Sequence, residues 1–273
     1  METKNSKFKL IITLHPNGVI RPILKLMKDC SETISFGLKL SEAAETLPEQ
    51  LTSEDIFMKI QFGESDNDIE SQKMKYKNWL ITKGLEDLIK GINLSLVEAF
   101  FFVSVYHLRN KNELINFKEI ESKLTRIRAT ANKKPFPDLL SKITPHLLEP
   151  LKYEKEILTL NRVRRCLVHR NGIVSKEDIN DTETNVLRIQ WLRLKLVYED
   201  ENNEVEIIRG HITKKNVMAN IKTESMQQIF KLGDKISFNY RQFNEFLTTG
   251  YWFAMDLVRK LPRIEEITAT NTG

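Results

Sequence analysis

The sequence has few of the residues that build covalent frameworks or membrane spans. It contains two cysteines, Cys30 and Cys166, without paired spacing, so we expect neither a disulfide framework nor a cysteine-based zinc site. The longest apolar stretch, residues 99–106, is far shorter than the roughly 20 residues that cross a bilayer. The first nine residues are polar and charged, which argues against a signal peptide. These features predict a soluble, cytoplasmic protein.

Signatures of nucleotide and metal binding are also missing. We find no Walker loop, no dinucleotide glycine fingerprint and no HExxH sequence, so the sequence predicts no cofactor and no metal site. The charge balance is moderately basic, with 42 Lys and Arg against 37 Asp and Glu, a formal net charge of +5. Such a balance is compatible with a nucleic-acid partner but does not indicate one by itself.

Hydrophobic patterning predicts an α+β fold that begins with β structure. Strands are expected at residues 8–14, 19–27, 33–40 and 56–62, with a turn at the sequence HPNG, residues 15–18. A linker is expected at 63–68, where Asp68 is a candidate helix cap. The N-terminal region, residues 1–66, is therefore predicted to be rich in strands.

The rest of the chain is predicted to be mainly helical. An apolar stripe predicts a helix from 69 to 109, with a break or kink near Gly84 or Gly91. Further helices are expected at 113–132, 151–170 and 240–261, with a β-hairpin from strands at 186–198 and 204–208. These elements predict a helical domain at 67–263 with a β insertion at 184–238, and a flexible tail at 264–273. The basic outer face of the helix at 113–132 is interpreted as a solvated face, with a phosphate-binding patch as the alternative.

Four arginines and a histidine crowd the end of the helix at 151–170, in the sequence RVRRCLVHRN. At about 100° per residue, Leu160, Val163 and Leu167 form the core face. The opposite side carries Arg162, Arg165 and His169 within about 60° of one another. Two interpretations follow. The cations could simply solvate the negative end of the helix dipole, or they could bind a phosphodiester, because arginine forks match phosphate and histidine moves protons near neutral pH.

At the spacing Arg164-x4-His169, the segment RRCLVHRNG resembles the signature of the HEPN superfamily, in particular bacterial toxin and defence proteins. The stretch KNWLITKGLEDLIKGINLSLVEAFFF, residues 77–102, resembles the opening helix of the same proteins. The resemblance implies a bundle of about four long helices and a metal-independent endoribonuclease whose site lies across a homodimer interface. By the same resemblance, His169 is the proton-transfer residue and Arg164 its phosphate-binding catalytic partner. The expected binding partners are RNA and a cognate antitoxin or regulatory protein.

The residue pattern leaves several assignments open. Helical projection puts Arg164 about 140° from His169, so Arg162, Arg165, Arg170 and Asn171 remain candidate RNA- or phosphate-binding residues. Arg165 also stands where the family usually has Asn, Asp or His. The alternative functions are therefore a catalytically inactive HEPN-type module that binds RNA or protein, or an interaction protein whose basic helix meets an acidic partner.

Overall fold

A computed structural model describes residues 14–46, 68–110, 117–200, 203–208, 210, 212 and 216–263. Six α-helices and a three-stranded antiparallel sheet occur in this part of the chain, so the predicted α+β class is confirmed. The elements are α1 (Asn17–Ala43), α2 (Ile69–Asn110), α3 (Phe117–Lys133), α4 (Phe136–Ile143), α5 (Glu154–His169), β1 (Val186–Asp200), β2 (Asn203–Glu206), β3 (Asn220–Lys231) and α6 (Tyr240–Lys260).

The strands predicted at 19–27 and 33–40 are wrong, because both stretches belong to α1. Its buried positions, among them Val19, Ile23, Ile34 and Leu38, recur at helical steps along more than five turns. The HPNG sequence is the entry to this helix, where the Gly18 amide donates to the His15 carbonyl at 2.9 Å. The strands predicted at 8–14 and 56–62 lie, except for residue 14, outside the described residues, as does the predicted tail.

The long helix α2 passes through Gly84 and Gly91 without interruption, so it has no break at either glycine. Gly84 is a packing position instead. A Cβ there would lie 2.1 Å from Ile34 Cδ1 and 2.6 Å from Phe243 Cζ, so glycine allows α1 and α6 to approach α2 closely. By length and composition Ile69–Leu108 could cross a membrane, but 61% of its most apolar window is buried inside the protein, as in the core helix of a soluble protein.

The chain divides into two compact units. The motif unit contains Leu26–Ile89 and Thr159–Thr249, and the α3 unit contains Met1–Lys25, Lys90–Leu158 and Gly250–Gly273. In the α3 unit, Arg128 donates to both carboxylate oxygens of Glu98 at 2.6 and 3.1 Å and covers the Phe101 ring at 4.3 Å. The charge pattern alone suggested a solvated outer face of α3, but one of its cations, Arg128, is bound within the chain.

In the motif unit, the predicted hairpin is confirmed as β1 and β2, and β3 adds to the other side of β1. The β1–β3 register runs from Val186↔Lys231 to Val197↔Asn220. The sheet is fixed to α6 through the Trp191 indole, which donates to Glu245 at 2.7 Å, and through the Leu192 amide, which donates to Thr249 at 2.9 Å. These two hydrogen bonds hold β1 in a fixed orientation against α6.

Candidate functional site

Helix α5 carries four of the candidate residues near its end, and the other two, Arg170 and Asn171, follow directly after its last residue, His169. Its buried stripe is Ile157, Leu160, Val163 and Cys166, each 0% exposed. The predicted core positions Leu160 and Val163 are confirmed, whereas Leu167 is half-buried. Each step of three residues moves the buried position by about 60° around the helix, so the stripe reaches Cys166 and not Leu167 in the last turn.

The end of α5 is fixed by backbone hydrogen bonds. The amides of Arg170 and Gly172 both donate to the Cys166 carbonyl, at 3.0 and 3.1 Å, and Asn171 and Gly172 are left-handed with φ of 52° and 76°. Glycine and asparagine adopt this conformation at low cost, which is why they end helices. The Ile236 amide then donates to the Gly172 carbonyl at 2.7 Å. The last turn of α5 is therefore anchored, with exposed Asn171 at its tip.

Arg165 and His169 form the exposed part of the predicted face. Both side chains are exposed, and neither has a hydrogen bond or ion pair with any residue that the structure describes. They are four residues apart on α5, so they are neighbours on one helix face. An imidazole and a guanidinium are thus presented together to solvent, as predicted from the helical projection.

Arg162 and Arg170 are engaged within the chain. Arg162 is half-buried and donates from Nη1 to the Ile179 carbonyl at 2.6 Å. Arg170 donates from Nε to Asp178 Oδ2 at 2.8 Å, from Nη2 to the other Asp178 oxygen, and from Nη1 to Glu177 at 3.0 Å. A phosphate could reach Arg170 only by competing with these two carboxylates. Helical projection could not predict this ion pair, because both carboxylates lie beyond the end of the helix.

Asp178 is the buried centre of this arrangement. It is 0% exposed and accepts hydrogen bonds from the amide and the hydroxyl of Ser175, at 2.9 and 3.0 Å, as well as from Arg170. Burial alone raises the pKa of Asp178, but the bonds from Arg170 and Ser175 outweigh it and hold the pKa below its ordinary value. The ionised carboxylate therefore ties the segment after α5 back to the helix end.

Arg164 lies on a different side of α5 from His169. Its side chain is 29% exposed, and its Nη2 is 3.9 Å from Glu86 Oε1 on α2. Glu86 also accepts from Lys83 Nζ at 2.6 Å, an interaction that raises the pKa of Lys83. Arg164 is thus part of a cluster with Glu86 and Lys83, which sequence analysis did not anticipate.

His107 and His146, whose apolar neighbours in the sequence favour a structural role, meet in the α3 unit. His107 Nε2 and His146 Nδ1 are 2.8 Å apart, and both residues are exposed. They are 39 residues apart in the chain, so no local pattern signals the pair. Among the described residues, no group of three or more His, Cys, Asp or Glu side chains is arranged to hold a metal ion.

Comparisons with known proteins give no family for this chain. No family model, no curated protein and no solved structure matches it.

Proposed function

We propose that the protein is a metal-independent endoribonuclease whose site is formed by the exposed end of α5. The observation that carries the proposal is the pairing of exposed His169 and Arg165 on one helix face, with Arg164 on the flank of the same helix. The resemblance of the segment RRCLVHRNG to HEPN ribonucleases supports the same chemistry, as well as a HEPN-like helical core and a toxin–antitoxin or antiviral-defence context in the cytoplasm.

The chemistry requires proton transfer and positive charge. A base removes the proton from the ribose 2′-OH, the 2′ oxygen attacks phosphorus, and the bond from phosphorus to the 5′ oxygen breaks as an acid protonates the leaving oxygen. The products are a 2′,3′-cyclic phosphate and a free 5′-OH. His169 is the proton-transfer group, and arginine stabilises the charge that develops on the phosphoryl oxygens.

A second proton-transfer group is supplied by a second copy of the chain. An isologous twofold contact through the exposed end of α5 brings two His169 side chains to one site, because such an interface uses the same patch on both partners. One His169 then acts as the base and the other as the acid. The partners in this proposal are RNA, a second copy of the chain and a cognate antitoxin that keeps the site silent.

The proposal is tested by incubating the purified chain with RNA in EDTA. Cleavage is expected to persist in chelator and to be lost in His169→Ala, whose fold should be unchanged because the side chain is exposed. Activity that disappears with EDTA and returns with Mg²⁺ contradicts the mechanism. A protein that sediments as a monomer at micromolar concentration contradicts the shared site.

Variants of Arg164 and Arg165 show which of the two arginines binds the phosphate. Arg164→Ala is expected to lower the cleavage rate by about 10²-fold, the effect of losing one strong electrostatic contact in a transition state. Arg165→Ala should lower the cleavage rate by a smaller factor. Arg165→Asn, which restores the residue usual in the family, should retain or raise the rate. Normal cleavage by Arg164→Ala together with an inactive Arg165→Ala would reverse the assignment and make the exposed face the phosphate site.

The second candidate function is a catalytically inactive module that binds RNA or protein. It is favoured by the engagement of Arg162 and Arg170 within the chain, which leaves fewer cations for a transition state, and by Arg165 in the place of a smaller polar residue. This function predicts RNA binding that weakens in Arg165→Ala, without cleavage by the unaltered chain. The cleavage assay and a binding assay on the same samples distinguish the two.

A further inference from the structure

Two aromatic rings on α2 face solvent side by side. Tyr76 and Trp79 are 42% and 58% exposed, with ring centroids 6.2 Å apart and planes inclined by 17°. Tryptophan normally buries most of its area, and in this chain Trp191 is 3% exposed and Trp252 half-buried. The exposed indole of Trp79 is therefore a flat apolar surface that the fold itself does not use fully.

A groove of about 250 Å³ lies beside Trp79, between α1 and α2 in the motif unit. Its lining combines apolar residues, among them Ile34 and Leu80, with the acidic residues Asp29 and Asp87. The space suits one planar ring that stacks against the indole. Carboxylate oxygens accept hydrogen bonds from the exocyclic amino groups of bases, as Asp and Glu do from cytosine.

Lys83 and Arg164 connect Trp79 with the candidate site. Lys83 is one helical turn after Trp79, and its ammonium and the Arg164 guanidinium share the carboxylate of Glu86, at 2.6 and 3.9 Å. An ammonium has three donors, so a lysine that gives one to Glu86 retains others for phosphate. Residues 69–83 of α2 carry four lysines against one glutamate, a balance that suits a polyanion rather than an acidic or neutral surface.

We propose that Trp79 stacks an unpaired base of single-stranded RNA over this groove, while Lys83 and Arg164 bind the adjacent phosphates. The inference rests on the proposed function, because Arg164 belongs to both sites, and it extends that function by defining the substrate as unpaired RNA. Stacking on an aromatic side chain requires a base that is out of a duplex. The carboxylates of Asp29 and Asp87 favour cytosine, adenine and guanine, which have amino groups, over uracil.

Binding is measured separately from cleavage by using His169→Ala protein and single-stranded oligo(rC) and oligo(rU) of about 12 nucleotides. Oligo(rC) should quench the fluorescence of the exposed Trp79 and bind more tightly than oligo(rU). Trp79→Ala should lower the affinity about tenfold, in line with the loss of one stacked base. Tyr251→Ala, which removes an exposed aromatic ring from the α3 unit, is the matched control and should leave affinity unchanged.

Lys83→Gln should weaken both oligonucleotides alike and reduce the slope of affinity against salt by about one. Unchanged affinity in Trp79→Ala overturns the stacking site, and it leaves the proposed nuclease intact if the unaltered chain still cleaves. If the unaltered chain does not cleave RNA but binds it in a Trp79-dependent way, the proposed nuclease activity is wrong and the stacking site stands. If Trp79→Ala alters self-association but not RNA affinity, the surface binds protein and the stacking proposal is wrong.

Discussion

Removing the Arg170 guanidinium should destabilise the protein through Asp178 and not through the loss of surface charge. The Asp178 side chain is 0% exposed and that of Arg170 is 20% exposed, so Arg170→Ala leaves a buried carboxylate without its main partner. Breaking a buried ion pair from one side costs about 3–5 kcal/mol. The remaining bonds from Ser175 and the partial exposure of Arg170 argue for the lower end, about 3 kcal/mol.

Urea unfolding followed by circular dichroism measures this change. A loss of about 3 kcal/mol lowers the urea midpoint by about 1 M or more at ordinary m-values. Lys176→Ala, which changes an exposed side chain two residues before Asp178, is the control, and its free energy of unfolding should stay within about 0.5 kcal/mol of that of the unaltered chain. An Arg170→Ala protein as stable as the control would refute the structural role of this pair.

The same pair determines a response to acid. Because the pKa of Asp178 is lowered in the folded state, its ionised form contributes stability above the unfolded pKa of about 3.9. That stability is lost as the pH falls below this value towards the folded pKa. Asp178→Asn should therefore lower stability at neutral pH and lose less stability between about pH 5 and 3 than the unaltered chain. Parallel pH profiles for the two proteins would contradict the assignment.

Three further predictions concern packing and the thiols. Gly84→Ala places a Cβ 2.1 Å from its nearest side-chain neighbour and should lower the free energy of unfolding by about 1–3 kcal/mol, measured by thermal unfolding. Gly18→Ala, whose Cβ would have nothing within 4 Å, is the control and should leave stability unchanged. Thr249→Val leaves a buried strand amide without its acceptor and should cost about 1–3 kcal/mol; an unchanged melting temperature would contradict this. Burial and nearby carboxylates raise the pKa of Cys30 to about 12 and of Cys166 to about 11, so a thiol reagent at pH 8 should label both after denaturation and neither before.

Elements with strong local periodicity were predictable from the sequence. The helix from residue 69, the last helix and the hairpin between α5 and α6 follow from apolar spacing alone. Helix α1 was not predicted, because its β-branched and apolar residues near Val19 and Thr33 resemble strands over short windows. Its buried positions reveal a helical period only when the two predicted strands are considered as one segment.

The candidate site was predictable only where it depends on a single helix. The exposed positions of Arg165 and His169 follow from projection of α5. The contacts of Arg170 with Asp178, and of Arg164 with Glu86, depend on how a loop and a second helix pack against α5. Such contacts depend on tertiary packing, which residue spacing within one helix does not specify.

The most direct measurement of the proposed activity is the chemistry of the cleaved ends. An oligonucleotide that contains one ribose among deoxyriboses is incubated in EDTA with the unaltered chain and with His169→Ala, and the product ends are identified by mass spectrometry. The account predicts one cut on the 3′ side of the ribose, with a 2′,3′-cyclic phosphate and a 5′-OH, and no cut by His169→Ala. Cleavage at deoxyriboses, 5′-phosphate ends or equal cleavage by His169→Ala would contradict it.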